Sequence, residues 1–325
     1  MKPNIKNSCP YKIQWLIISF LISFIYSGVL SSLPVDVFYD RINYLYYAEK
    51  SYIIFLHNME SGLLRTFFNE PIWLLLNTAL ASILSPESVI RVYIFISCFL
   101  LSFSLCYANR KHFFFVMFAL LFPLLIKNYI VHLRQGVAMS IFSLGYFSKN
   151  LKVKASLISL TPFIHVSFFI IIGVMALGNM VRFKGISPGV KALIGFIILL
   201  VIAILLPYIA SLLGARQGER AARLSMNVSG VGFFFWMTIL LVFLLSGRDA
   251  ILKSLSAIFI LFLYLSLYFI SPFSGRVLES GLIIVLFSIT LLGVRSRYTM
   301  YLLLAFWSLA MWLPRISQDY MGWGL

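Results

Sequence analysis

The segment IQWLIISFLISFIYSGVLSSL, residues 13–33, holds 21 consecutive positions without a charge. A helix needs about 20 such residues to cross the hydrocarbon core of a bilayer. Lys2, Lys6 and Lys12 precede it, as in a secretory leader. The run exceeds the roughly 7–15 apolar residues of a leader, and no A-x-A cleavage site follows it. Residues 13–33 therefore read as an uncleaved first spanning helix.

Comparable runs follow at 89–108, 113–126, 135–148, 155–181, 192–213, 231–247, 251–271, 277–294 and 298–314. Lipid admits only helices or closed barrels, and the lack of period-2 alternation excludes a barrel. The expectation is an all-α, polytopic integral membrane helical bundle of roughly 10–12 membrane segments, forming one transmembrane domain over 1–325. Two runs are irregular. The segment 71–85 is short, opens at Pro71 and stops at Ser85-Pro86, as a re-entrant segment would. The segment 155–181 is broken by Pro162, which predicts two half-length helices.

Composition agrees. Of 325 residues, 61% are hydrophobic and 11% charged, against roughly 25% charged in soluble domains. A net charge of +16 in a soluble chain would point to nucleic acid. Here the basic residues cluster between apolar runs, so no nucleic-acid partner is expected. Taking the N-terminal tail, 109–112, 149–154, 182–191, 248–253 and 295–297 as cytoplasmic assigns 15 of the 26 basic residues to that side with one acid, Asp249. The other nine acids fall elsewhere. That asymmetry places the N-terminus inside and 34–70 and 214–230 as outer loops. Cys9, Cys98 and Cys106 form no metal-ligand spacing.

Several polar stretches could carry chemistry. Residues 35–47 hold Asp36, Asp40, Arg41 and four tyrosines, Tyr44 among them. A tyrosine offers a sugar a flat face and a hydroxyl, although an interfacial aromatic belt uses the same residues. Glu70 precedes Pro71 at the start of an apolar helix, where it serves as a cap or as a general base. Arg134, with Lys127 and His132 nearby, is a cation on the outer side that the positive-inside rule does not explain. At a helix start it opposes the helix dipole. A lipid pyrophosphate would repay that, and the guanidinium fork suits phosphate; an ion pair to an outer acid is the alternative. Arg276 repeats the pattern. His165, beside Pro162 and Ser167, is an ionisable group within an apolar segment, where such groups tend to be functional. Arg216, Arg220 and Arg223 share one face if helical, for substrate or for lipid headgroups. Nucleotide-binding, HExxH and GxSxG motifs are absent, and no metal or cofactor is expected.

In combination, Asp40-Arg41-Ile42-Asn43-Tyr44, Glu70-Pro71, Leu133-Arg134-Gln135-Gly136-Val137-Ala138, Ile164-His165-Val166-Ser167 and the late Arg276 resemble the EpsG/Wzy family of O-antigen and exopolysaccharide polymerases, over about residues 30–280. The resemblance implies a metal-independent glycosyltransferase of the bacterial inner membrane, in lipopolysaccharide or exopolysaccharide biosynthesis. A glycan on undecaprenyl pyrophosphate would pass to the next lipid-linked repeat unit, so one lipid-linked oligosaccharide class is both donor and acceptor. A chain-length regulator is a further implied partner. Glu70, Asp40 and His165 are the catalytic candidates. Arg134, Arg276, Arg216, Arg220, Arg223, Tyr44 and Arg41 are the substrate-binding ones. A flippase for lipid-linked oligosaccharide and an O-antigen ligase remain as alternative readings.

Overall fold

A computed structural model describes residues 9–180, 187–212, 229–271 and 274–324. It is all-α, with no strand among the described residues. The first helices are α1 (Cys9–Ser31), α2 (Arg41–Glu60), α3 (Leu63–Phe68), α4 (Pro71–Ala81), α5 (Pro86–Ala108), α6 (Phe113–Leu120), α7 (Pro123–Ile130) and α8 (Leu133–Phe147). Then come α9 (Leu151–Leu160), α10 (Ser167–Met180), α11 (Pro188–Leu212), α12 (Val231–Leu245), α13 (Arg248–Lys253), α14 (Leu255–Leu267), α15 (Ser274–Ile289) and α16 (Val294–Ile316).

Among the described residues, three helical stretches are long and apolar enough to cross a membrane: Lys12–Ser31, Pro86–Ala108 and Val294–Ile316. A bent pair, Arg110–Leu120 with Pro123–Ile130, makes a fourth if counted as one span. Several apolar helices are shorter, including α4, α12 and α14. Along α16, Leu302, Phe306, Leu309, Leu313 and Ile316 are each more than half exposed. Their spacing of three to four residues makes one apolar stripe, which is a surface suited to lipid rather than water.

The chain divides into two compact units. The first comprises Met1–Ile54, Ile72–Ile164 and Arg315–Leu325. In it α1 lies along α5. Ser19, Ser23 and Ser27 are fully buried at four-residue intervals, and each hydroxyl donates to the carbonyl one turn back. Small residues on one helix stripe allow close approach without stranding a polar group. Beside them Phe20 and Phe24 of α1 meet Phe99 and Phe95 of α5 edge-on, at 5.4 and 5.7 Å. Trp15 Nε1 donates to the Cys106 carbonyl at 3.0 Å. The start of α5 is conventional: Ser85 caps it, Pro86 opens it and Glu87 stands in its first turn. Helix α8 packs on the other side of α5, where Ser140 Oγ donates to the Ser97 carbonyl at 2.7 Å.

Two stretches differ from the sequence reading. Residues 113–126, expected as one helix, bend by 64° between α6 and α7. Phe122 is extended (φ −69°, ψ 127°), because the residue before a proline avoids the helical region. Most of 34–70, expected as a loop, is helical. In α2 the buried face is Arg41, Tyr44, Tyr47, Ala48 and Ser51, a helical period written in polar and aromatic residues. The break at Pro162 falls as expected, with a 3₁₀ turn at Thr161–Phe163 between α9 and α10.

Where α8 begins, Gly136 faces α7. A Cβ there would run into the Asn128 carbonyl oxygen and stand 3.0 Å from the Tyr129 ring. Gly136→Ala is therefore expected to destabilise the first unit by about 1–3 kcal/mol, read as a lowered melting temperature in detergent.

The second unit comprises Phe55–Pro71 and His165–Pro314. Its centre is the pair α14 and α15. Every residue of α15 from Val277 to Ile289 is buried, although Glu279, Ser280 and Ser288 are polar. Gly281 lets Ile260 of α14 approach; a Cβ there would stand 2.7 Å from the Ile260 side chain. Helices α10, α11 and α12 pack around α14.

Candidate functional site

Glu70 and His165, 95 positions apart, meet in the second unit. Glu70 Oε1 lies 2.7 Å from His165 Nδ1, with both side chains buried. The same oxygen accepts from the Val166 backbone N–H at 3.4 Å. His165 occupies the non-helical link just ahead of α10, so its ring is held by the link and not by a helix face. Glu70 arrives there because α3 docks on α10: the Phe67 and Phe68 rings lie 5.7 and 5.3 Å from Phe169. Asn69 closes α3 by donating to the Arg65 carbonyl at 2.7 Å.

The backbone at Glu70 is strained. Its φ is 58°, in the left-handed region a glutamate rarely adopts, and Pro71 narrows the choice further. Such a conformation costs about 1–3 kcal/mol and persists only where surrounding contacts impose it. Here they bring the carboxylate onto His165 and the N-terminal end of α10. A carboxylate at that end suits the helix dipole.

One residue into α10, Ser167 Oγ and Ser280 Oγ of α15 are 2.6 Å apart. Ser280 follows Glu279, a carboxylate with only 4% of its surface exposed. Arg276 stands half-buried in the first turn of α15, one turn before Glu279. Glu279 was not singled out by the sequence reading. Its signal was the i,i+3 spacing from Arg276 on a helix that is apolar from Leu282 to Phe287.

The first unit holds the other described candidates. Arg134 is the second residue of α8, and its guanidinium carbon lies 5.1 Å from the centre of the Tyr47 ring. Tyr47 is thus a platform for the cation. Tyr44, one turn earlier on α2, packs edge-on against Trp73 at 5.9 Å. Arg41 is fully buried. Its Nε donates to the Ile130 carbonyl at 2.6 Å and its Nη2 to the Tyr129 carbonyl at 3.4 Å, closing the C-terminal end of α7. Burial pulls the guanidinium down to about 10, and at neutral pH it keeps its charge. Asp40 (φ 64°) precedes α2, and its Oδ1 accepts from Asn43 Nδ2 at 3.1 Å.

The structure thus joins Glu70 to His165 in one unit, and in the other it aligns Arg41, Tyr44 and the Arg134 platform Tyr47 along one face of α2. Arg216, Arg220 and Arg223 lie outside the described residues. Among the described residues, no three His, Cys, Asp or Glu side chains stand close enough to hold a metal ion. Compared with known proteins, the chain matches no family model, no curated protein and no solved structure.

Proposed function

We propose that this chain is a multi-pass protein of the bacterial inner membrane, with roughly 10–12 membrane segments, that polymerises lipid-linked sugar repeat units on the outer face. The transfer moves a glycan from undecaprenyl pyrophosphate onto the next lipid-linked unit. The observation that carries the reading is the placement of Arg134 and Arg276 in the first turns of α8 and α15. A cation there works against the helix dipole, and the planar guanidinium fork suits an anionic phosphate headgroup. Bidentate guanidinium contacts would stabilise the charge that develops on a departing pyrophosphate. The resemblance to the EpsG/Wzy family and the run of apolar helices support the same reading.

The test is reconstitution in lipid nanodiscs with repeat unit extracted from cells lacking this protein. A ladder of products differing by one repeat unit is expected. A single transfer to a lipid A acceptor would mark a ligase, and translocation without bond formation a flippase; either outcome overturns the proposal. Reporter fusions at residue 220 should report the non-cytoplasmic side, and a cytoplasmic signal there would reverse the orientation.

A further inference from the structure

We infer that Glu70 and His165 act as a dyad in which Glu70 is the positioning residue and His165 Nε2 the proton acceptor. This assignment rests on the polymerase reading for its substrate, but its geometry stands apart from it. The carboxylate Oε1 is 2.7 Å from Nδ1, which fixes the neutral ring with its proton on Nδ1 and its lone pair at Nε2. The Val166 N–H holds the same oxygen, so the carboxylate is pinned from two sides. The left-handed backbone at Glu70 spends folding energy on this placement, as an incidental contact would not. The two residues therefore divide the work. Glu70, engaged by the ring and the backbone, is spent on orientation, and the imidazole is the group with a basicity suited to neutral pH.

In the transfer, the acceptor hydroxyl gives its proton to Nε2. The hydroxyl oxygen uses its electron pair to bond the anomeric carbon of the donor glycan. The bond from that carbon to the lipid pyrophosphate breaks, and its pair leaves on the pyrophosphate oxygen. The imidazolium, stabilised by the Glu70 carboxylate, then returns its proton to water. Ser167, two residues after His165 at the start of α10, is joined to Ser280 of α15 at 2.6 Å, which ties the end of the link to α15. Among the described residues, the charged or titratable groups on elements packed against α10 include Arg65 on α3, Tyr264 on α14, and Arg276 and Glu279 on α15.

The experiment compares His165→Asn and Glu70→Gln with wild type in nanodiscs, using repeat unit from cells lacking the protein. An asparagine amide can still donate to Glu70 where Nδ1 did, but cannot take a proton. His165→Asn should keep melting temperature and donor affinity while turnover falls on the order of 10²–10⁴-fold. The acid limb of the wild-type pH profile should vanish from what remains. In Glu70→Gln that limb should move to lower pH, because a neutral amide no longer favours the imidazolium. Wild-type turnover in His165→Asn, or an unmoved limb in Glu70→Gln, overturns the dyad. Nitrogen-15 spectra of histidine-labelled protein decide the arrangement without any substrate. Neutral His165 should carry its proton on Nδ1 in wild type and lose that preference in Glu70→Gln. A proton on Nε2 in wild type overturns the dyad even if the protein never polymerises, whereas an inactive wild type with the Nδ1 tautomer overturns only the polymerase reading.

Discussion

Arg134→Ala is expected to slow chain growth on the order of 10²–10³-fold, the cost of removing one preorganised donor from a developing anion. The position makes the case. The side chain begins in the first turn of α8, where the dipole term against a cation is about 0.3–1 kcal/mol. Stacking on Tyr47 at 5.1 Å returns about 0.5–2 kcal/mol. These two terms nearly cancel, so the melting temperature is read beside turnover to separate a role in the fold from a role in the transfer. Arg134→Lys should lose most of the same activity, since a lysine keeps the charge but not the planar fork. Arg276→Ala should behave similarly. The measurement is turnover on the reconstituted protein beside donor affinity. Full activity in both alanine variants, at normal expression, removes these arginines from the reaction.

Arg41→Ala should instead destabilise the fold, by about 3–5 kcal/mol. It deletes a fully buried side chain and leaves the Tyr129 and Ile130 carbonyls without their donor, each such loss costing about 1–3 kcal/mol, with a cavity added. Arg41→Met, which keeps the volume and removes a buried charge, should cost less. The pH dependence has a definite sign. A base depressed to about 10 opposes folding while it is charged, and that opposition is relieved only as pH rises from about 10 toward the ordinary value. The Arg41→Ala deficit should therefore be the same at pH 6 and pH 9 in thermal melts. An undiminished melting temperature would show that the carbonyls of α7 do not depend on Arg41. Lost turnover in this variant is then a consequence of lost structure, not a measure of substrate contact.

The helices that the sequence declared were those where hydrophobicity alone decides: α1, α5 and α16 follow uncharged or nearly uncharged runs. Helix α2 was read as loop because its buried face is Arg41, Tyr44, Tyr47 and Ser51, which no apolar period reveals. The bend before α7 was written in Pro123 but masked by apolar residues on both sides. At the candidate site, Glu70, His165 and Ser167 each stood out locally through their neighbours. Their pairing did not, because a separation of 95 positions leaves no trace in spacing. Tyr47 as the partner of Arg134 was hidden for the same reason. Glu279 escaped because it was counted among the outer acids rather than weighed as a charge inside a helix.

Position 70 faces two selective pressures that favour different residues. A left-handed φ of 58° is most easily met by glycine or asparagine, so a library sorted only for folded protein should drift toward those residues. A library sorted for chain growth should hold glutamate, since only a side chain of that length and charge reaches the His165 ring from this backbone. Where the two sorts disagree, the residue retained is there for chemistry. Residue frequencies from the two libraries would therefore separate ancestry of function from ancestry of fold at a single codon.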